Sequence, residues 1–152
     1  MRQICLAIAL CLPSAAFGFD VEETWNTYEV DETTREGILQ QMHGDGPNGY
    51  WAYTEWYVRW TAECEVSVEI VYTMPEHSDP DAMDGDLGDN WDAMLEALQE
   101  HEEQHGQHGM NAAAEIEAAD CWNGVQIIDE WGQEDVNFDE ESDHGALEGV
   151  EF

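Results

Sequence analysis

Two apolar patterns in the middle of the chain predict neighbouring β-strands. Residues 50–60, YWAYTEWYVRW, are aromatic and β-branched on both faces, which is typical of a strand covered on both sides. Residues 64–74 alternate instead, with Val66, Val68 and Ile70 on one face and mostly polar residues on the other. Because only the tripeptide TAE separates the two runs, they predict an antiparallel hairpin, which Pro75 ends.

Upstream of this hairpin, the pattern predicts a strand followed by a short helix. The strand is expected from Thr24 to Val30, and residues 31–44 then place Ile38 and Met42 at helical spacing before a glycine. This strand–helix unit opens the domain.

Downstream of the hairpin, an acidic loop precedes a long helix. The loop, Pro75 to Asn90, misses the aspartate spacing of a calcium-binding loop by one residue and is therefore expected to be a solvated loop. The helix is predicted from Trp91, capped by Asp89 or Asn90, to about Ala119. A short strand or helix is expected around residues 125–131. The predicted fold class is α+β, with a small antiparallel sheet packed against the long helix.

The first 18 residues have the layout of a secretory signal peptide. An apolar run from Ile4 to Leu12 follows Arg2, is too short to span a bilayer, and ends in small residues before Phe19. A lipoprotein signal at Cys11 is the weaker alternative, since Leu10 stands before it. Residues 19–152 should form a single domain, exported to the periplasm or beyond, with no further membrane span and as a monomer.

Cysteine and charge constrain the exported domain further. Only Cys64 and Cys121 remain after residue 18, and a lone pair in an oxidising compartment predicts one disulfide.

The two remaining basic residues, Arg35 and Arg59, oppose 36 acids and leave a net charge of −34. Such a charge argues against nucleic acid and anionic membranes as partners. Adaptation to high salt explains it more simply than a specific cationic partner.

The long helix carries candidate chemistry on the face that should turn toward the core. Residues at three- and four-residue steps form one stripe: Met94, Leu98, His101, His105, His108, Ala112 and Ile116. Within it, residues 101–105 spell H-E-x-x-H. In this arrangement two imidazoles one turn apart hold a zinc ion, Zn²⁺, while the intervening glutamate acts as general base on a zinc-activated water. His101 and His105 are therefore predicted ligands and Glu102 the predicted catalytic base.

The other histidines fit this site less simply. His108 lies seven residues beyond His101, about 10 Å along a straight helix, which is too far to share one tetrahedral ion. It is expected to contact the ligands or to pack. His43 and His77 are predicted to be solvent-facing residues in loops.

The order of these features resembles the DUF922 proteins, which are small secreted bacterial proteins predicted to be zinc-dependent proteases. The resemblance includes Gly46-Pro47, the segment from Cys64 to Pro75, His101 to His105, Cys121, and the tail FDEESDHG from Phe138 to Gly145. Phe138 stands where the family pattern has tyrosine. The resemblance implies a zincin-like domain acting on protein or peptide substrates.

A catalytic zinc normally takes three protein ligands, and the helix supplies two that can share an ion. Glu115, Glu117 and Asp120 lie too far along the helix, whereas His144 follows Cys121 at a distance that allows the chain to fold back. His144 is therefore the predicted third ligand, and Asp139 a predicted contact of the ligands.

The predicted function is a secreted zinc metallopeptidase. The alternatives are a non-catalytic zinc-binding module of the envelope and an acidic cation-binding protein.

Overall fold

The computed structural model describes residues 18–152, so the expected signal peptide lies outside the described residues except for its last glycine. The described elements are β1 (Asp20–Val30), α1 (Arg35–Asp45), β2 (Tyr53–Trp60), β3 (Val66–His77), α2 (Gly85–Ala118) and α3 (Gly124–Ser142). Short 3-10 helices lie at Pro47–Gly49, Pro80–Ala82 and Ala146–Glu148. The α+β class is confirmed. Among residues 18–152, no helix combines the length and apolar character needed to cross a membrane.

The sheet has three strands in the order β1-β3-β2. Strands β2 and β3 pair antiparallel, which confirms the predicted hairpin, but β1 pairs with β3 in parallel. The sheet is therefore mixed, and the expectation of a purely antiparallel sheet was wrong in this respect. The reason is topological: the chain reverses once between β1 and β2 and again in the hairpin, so β1 and β3 run in the same direction.

Strand β3 buries the face that its alternation predicts, with Val68, Ile70 and Tyr72 almost inaccessible to solvent. It also continues through Pro75, which was predicted to end it, and finishes at His77. His77 is buried rather than solvent-facing, because its Nε2 lies 2.8 Å from the carbonyl oxygen of Glu32 and its ring packs edge-on against Trp91.

Helix α2 lies on this buried face and begins earlier than the apolar pattern indicates. Its N-cap is Asp84, whose side chain accepts a hydrogen bond of 2.9 Å from the backbone N–H of Leu87. Leu87 is the one large apolar residue among the six before Trp91, so this segment shows no apolar periodicity. The N-cap aspartate nevertheless satisfies an otherwise free N–H at the start of the helix. One acid of the predicted loop therefore has a structural role.

Two glycines bring α2 close to the sheet. A Cβ atom at Gly106 would overlap the side chain of Tyr72, and one at Gly109 would lie 2.7 Å from Cβ of Trp56. Larger residues at these positions would push the helix away from β2 and β3. The close approach places the histidine-bearing turns of α2 directly beside the sheet.

The apolar core is divided into two clusters along α2. One contains Phe19, Val58, Val66, Val68, Ile70, Tyr72, Ala112, Ala113, Ile116 and Ile127. The other contains Val30, Ile38, Met42, Ala52, Met74, Met83, Trp91, Met94, Leu98 and Val150. The turns of α2 between Leu98 and Ala112 contribute no buried apolar residue to either cluster, although the partly buried Met110 packs against the first. Buried histidines occupy this interval instead.

Helix α3 is the largest departure from the sequence prediction. A short strand or helix was expected around residues 125–131, but the helix extends to Ser142 and packs against α2. Few of its side chains are buried apolar groups, since Ile127 is the buried aliphatic residue that the helix contributes to a core cluster. Two acids, Asp135 and Asp139, lie on the face that turns toward α2, so the second half of the helix shows no continuous apolar stripe in the sequence.

A disulfide joins Cys64, in the turn of the β2–β3 hairpin, to Cys121, between α2 and α3. This confirms the predicted pair. The bond packs against the first apolar cluster and fixes the α2–α3 junction to the sheet.

We expect removal of this disulfide to lower the free energy of unfolding by about 4 kcal/mol. The two cysteines are 57 residues apart, and in the chain-entropy model a closed loop of that length destabilises the unfolded chain by roughly this amount. Urea unfolding of the Cys64→Ser/Cys121→Ser variant measures the difference. Wild-type protein unfolded in excess reductant is the matched control, and equal midpoints for the oxidised and reduced wild type would contradict the prediction.

Candidate metal centre

Helix α2 presents three buried histidines in the interval between the two apolar clusters. His101, His105 and His108 are 5, 9 and 8% exposed, respectively. They lie at helical spacing of four and three residues, so their rings project from the same side of α2. Phe138 of α3 covers this group, stacking on the ring of His101 with centroids 4.8 Å apart. The predicted position of the histidines on the buried stripe is therefore confirmed.

Two aspartates of α3 face these histidines. Asp135 and Asp139 are also one helical turn apart, so they project from one side of α3 toward α2. Asp139 Oδ1 lies between the rings of His101 and His105, and Asp135 Oδ1 lies between those of His105 and His108. Histidines and aspartates therefore alternate across the α2–α3 interface, and we call these five residues the His–Asp ladder.

Three ligand atoms of the ladder converge on one point. Asp139 Oδ1 lies 3.2 Å from His101 Nε2 and 3.1 Å from His105 Nε2, and the two Nε2 atoms are 3.3 Å apart. The three atoms thus form a nearly equilateral triangle. A second group with ligand atoms within 4.8 Å of one another comprises His105, His108 and Asp135.

Each of the two converging imidazoles contacts a second carboxylate through its other nitrogen. His101 Nδ1 lies 2.8 Å from Glu148 Oε2, and His105 Nδ1 lies 3.0 Å from Asp135 Oδ1. A carboxylate at Nδ1 places the ring proton there and leaves the lone pair on Nε2. In that tautomer the two Nε2 lone pairs and the Asp139 oxygen face one another, an arrangement that suits a bound cation.

Charge in the ladder shifts the pKa values of its members. Burial lowers the pKa of His105, but the hydrogen bond and negative charge of Asp135, together with Asp139 and Glu102, outweigh burial and raise it. Burial raises the pKa of Asp135, but hydrogen bonds from His105, His108 and Trp56 outweigh burial and lower it. Asp135 is therefore held as a carboxylate.

Glu102 lies in the same turn of α2 and is 5% exposed. Its Oε2 accepts a hydrogen bond of 2.6 Å from the hydroxyl of Thr54, on β2. Burial raises the pKa of Glu102, and the Thr54 hydrogen bond and the two neighbouring histidines partly oppose this shift. Glu102 is thus a buried carboxyl with a raised proton affinity, separate from the three converging ligand atoms.

The remaining histidines occupy different positions. The side chain of His144 is 57% exposed, and its Nδ1 lies 3.8 Å from Asp139 Oδ1, so it stands beside the converging atoms without joining them. His43 is solvent-exposed, as predicted, although it lies in α1 rather than in a loop. The assignment of His144 as a ligand stays a prediction.

The converging atoms open onto a cleft of about 670 Å³. Helix α2 forms its floor through Leu98, His101, Glu102 and His105, and one wall contains Tyr50, Trp51, Tyr53 and Thr54. The opposite wall is the stripe of α3 and the following turn that contains Gly132, Asp135, Val136, Asp139, Asp143 and His144. The candidate metal position is therefore at a cleft lined by α2, α3 and the start of β2.

The sequence prediction missed Asp135, Glu148 and Thr54 and gave Asp139 only a contact role. A signal for the two aspartates was present, because the spacing D-x-x-x-D in residues 135–139 mirrors H-x-x-x-H in residues 101–105. This matching spacing indicates facing residues only if both segments are helices that pack side by side in antiparallel orientation. No local pattern singles out Glu148.

Comparison with known proteins gives one match. No curated protein and no solved structure matches the chain. A family model described as "Bacterial protein of unknown function (DUF922)" matches residues 25–120, which extend from the second half of β1 through α2 and include the segment from His101 to His105. Helix α3 and the tail from Phe138 to Gly145 lie beyond the matched residues. The match covers more than half of the chain, and the protein therefore belongs to the DUF922 family.

Proposed function

We propose that this protein is a zinc-dependent hydrolase of peptide bonds. The observation that carries the proposal is the convergence of His101 Nε2, His105 Nε2 and Asp139 Oδ1 beside a buried glutamate, at the base of a cleft. Ligand atoms of a tetrahedral zinc site lie about 3.3 Å from one another, given zinc–ligand bonds of about 2.0–2.1 Å. The observed separations of 3.1–3.3 Å fit that spacing.

The donor set also suits zinc. Two imidazole nitrogens and one carboxylate oxygen leave a fourth tetrahedral position open, which is typical of catalytic rather than structural zinc sites. The same spacing favours Asp139 over His144 as the third ligand, since His144 Nδ1 is 3.8 Å from Asp139 Oδ1 and its side chain is largely exposed. Glu148 and Asp135 would orient the two histidine ligands.

Zinc bound here would supply Lewis-acid activation of water and of the scissile carbonyl group. Glu102 would take a proton from the attacking water and deliver it to the leaving amine, since its raised pKa brings it closer to the pH at which a general base is effective. Thr54 would hold the Glu102 carboxylate in place through its hydrogen bond of 2.6 Å.

The geometry of β2 supports a peptide substrate. This strand lies at an edge of the sheet, and Tyr53 and Thr54 at its start line the cleft. An edge strand leaves a row of backbone N–H and C=O groups unpaired, and an extended peptide can pair with them. Tyr53 and Val136, on opposite walls, are 37 and 49% exposed and would contact apolar side chains of such a peptide.

We expect a bulky residue at Gly132 to reduce peptide hydrolysis while zinc binding is retained. Gly132 lines the cleft, and a Cβ atom there would meet nothing within 4 Å. Phenylalanine would therefore occupy cleft space, and we expect kcat/KM for a peptide to fall by at least about tenfold.

Gly132→Ala is the matched control for this experiment. Alanine should leave hydrolysis unchanged and stabilise the fold by about 0.5–1 kcal/mol, because glycine in a helix interior loses more conformational freedom on folding. Equal hydrolysis by the Gly132→Phe and wild-type proteins would contradict substrate binding in this cleft.

The direct test of the proposed function combines metal analysis with hydrolysis. We expect one zinc per chain after reconstitution, measured by elemental analysis, and cleavage of casein or unstructured peptides that stops when zinc is chelated. Zinc uptake without hydrolysis would identify a zinc-binding envelope module instead. Absence of stoichiometric zinc would favour an acidic cation-binding protein. The disulfide and the bacterial family are consistent with the export that these functions require.

A further inference from the structure

The carboxylate of Asp135 accepts hydrogen bonds from three side chains of the site. Its Oδ1 lies 2.6 Å from His108 Nδ1 and 3.0 Å from His105 Nδ1, and its Oδ2 accepts a hydrogen bond of 2.6 Å from Trp56 Nε1. Both histidines belong to α2 and the tryptophan to β2. Asp135 therefore links α3 to the helix and to the sheet at once.

Both ring nitrogens of His108 have a hydrogen-bond partner if the ring is in one particular tautomer. With the ring proton on Nδ1, it donates to Asp135, and its Nε2 lies 3.4 Å from the side-chain amide nitrogen of Gln104, which can donate to it. The ring is 8% exposed and packs against Trp131 and Phe138. Neither nitrogen is left free to reach the point where His101, His105 and Asp139 converge.

We propose that His108 is a positioning residue that holds Asp135, and through it His105, in the orientation that directs His105 Nε2 toward the metal. The inference rests on the proposed zinc site. His108 supplies the shorter of the two hydrogen bonds to Asp135 Oδ1, so its removal would leave that oxygen with His105 as its remaining donor among these contacts. The carboxylate could then rotate away from His105, whose ring would lose its fixed tautomer and direction.

A second metal ion held by His105, His108 and Asp135 would be the competing explanation of the same group. Two observations disfavour it. The separation of 2.6 Å between His108 Nδ1 and Asp135 Oδ1 is that of a charge-assisted hydrogen bond and is shorter than the spacing of about 3.3 Å between ligands of a tetrahedral ion. His105 would also have to give up both ring protons to bind two ions.

Zinc affinity of full-length protein, measured by competition with a chromophoric chelator, tests this role. We expect His108→Ala to weaken zinc binding about tenfold, the lower end of the range for groups that orient a zinc ligand. His108→Asn should recover most of the loss, because the asparagine amide nitrogen lies close to the position of imidazole Nδ1 and can still donate to Asp135. His108→Leu fills the same space without a donor and should behave like alanine, which keeps the comparison available if the alanine variant is unstable.

A double-mutant cycle with Asp135→Ala separates positioning from packing. If His108 acts through Asp135, the His108→Ala/Asp135→Ala protein should bind zinc about as tightly as Asp135→Ala alone, because Asp135→Ala has already removed the acceptor of the His108 hydrogen bond. Additive losses, or equal affinities for wild type, His108→Leu and His108→Asn, would overturn the inference and leave the proposed zinc site standing. Two zinc ions per wild-type chain, falling to one in His108→Leu, would show the second metal site instead. A wild-type protein that binds no zinc would overturn the proposed function and this inference with it.

Discussion

Replacement of Asp139 by alanine should weaken zinc binding by more than about 100-fold, which exceeds the effect expected for a group that only contacts a ligand. Asp139 Oδ1 is within 3.2 Å of both His101 Nε2 and His105 Nε2, so its loss removes one corner of the ligand triangle. Chelator competition or calorimetry with reconstituted protein measures the change.

The matched variant is His144→Ala, which changes the predicted ligand from the tail. Because the His144 side chain is 57% exposed and 3.8 Å from Asp139 Oδ1, we expect zinc affinity within a few-fold of wild type. The opposite ranking, with a large loss for His144→Ala and a small one for Asp139→Ala, would make His144 the third ligand, as the sequence predicts. The pair of variants therefore decides between the two assignments.

Glu102→Gln should abolish most peptide hydrolysis and leave zinc bound. A positioned general base contributes about 10²–10⁴-fold to the rate, and glutamine cannot take a proton from water. Glutamine can still accept the Thr54 hydrogen bond, so the fold around the site should be unchanged. The measurements are kcat for a peptide and zinc content of the purified variant.

Glu103→Gln provides a control on the same turn of α2, because Glu103 is exposed and hydrogen-bonds to Gln99. We expect it to retain wild-type kcat. If Glu102→Gln hydrolysed peptide at the wild-type rate, Glu102 would not be the general base and another acceptor in the cleft would have to serve. Loss of zinc from Glu102→Gln would instead assign it to the ligand set.

The parts of the fold predicted from sequence are those in which apolar periodicity and local turns agree. The β2–β3 hairpin, the buried face of β3 and the histidine stripe of α2 are of this kind, because each depends on neighbours within a few residues. The parallel pairing of β1 with β3 depends on residues about fifty positions apart, such as Asp20 and Ser67, and no local pattern specifies it.

The sequence predicts the part of the candidate site that α2 contributes, but not the part that α3 contributes. The H-E-x-x-H spacing on an apolar stripe predicts His101, Glu102 and His105 from α2 alone. Helix α3 was not predicted at its full length because acids occupy part of its inner face, where a helix of this kind usually has apolar residues. A role for Asp135 and Asp139 in the site follows only from the histidines that face them across the α2–α3 interface, which the local sequence does not indicate.

The repeating spacing of the His–Asp ladder does not by itself fix how far α3 is shifted along α2. Its members repeat at nearly one-turn intervals on both helices, so a slide of α3 along α2 by one turn, about 5.4 Å, would again place one aspartate between two histidines. The contacts at the two ends do not repeat: Trp56 Nε1 reaches Asp135 at one end, and Glu148 reaches His101 Nδ1 at the other. Only one alignment of α3 along α2 allows both of these contacts to form. The two contacts therefore select that alignment over the others that the ladder alone would allow.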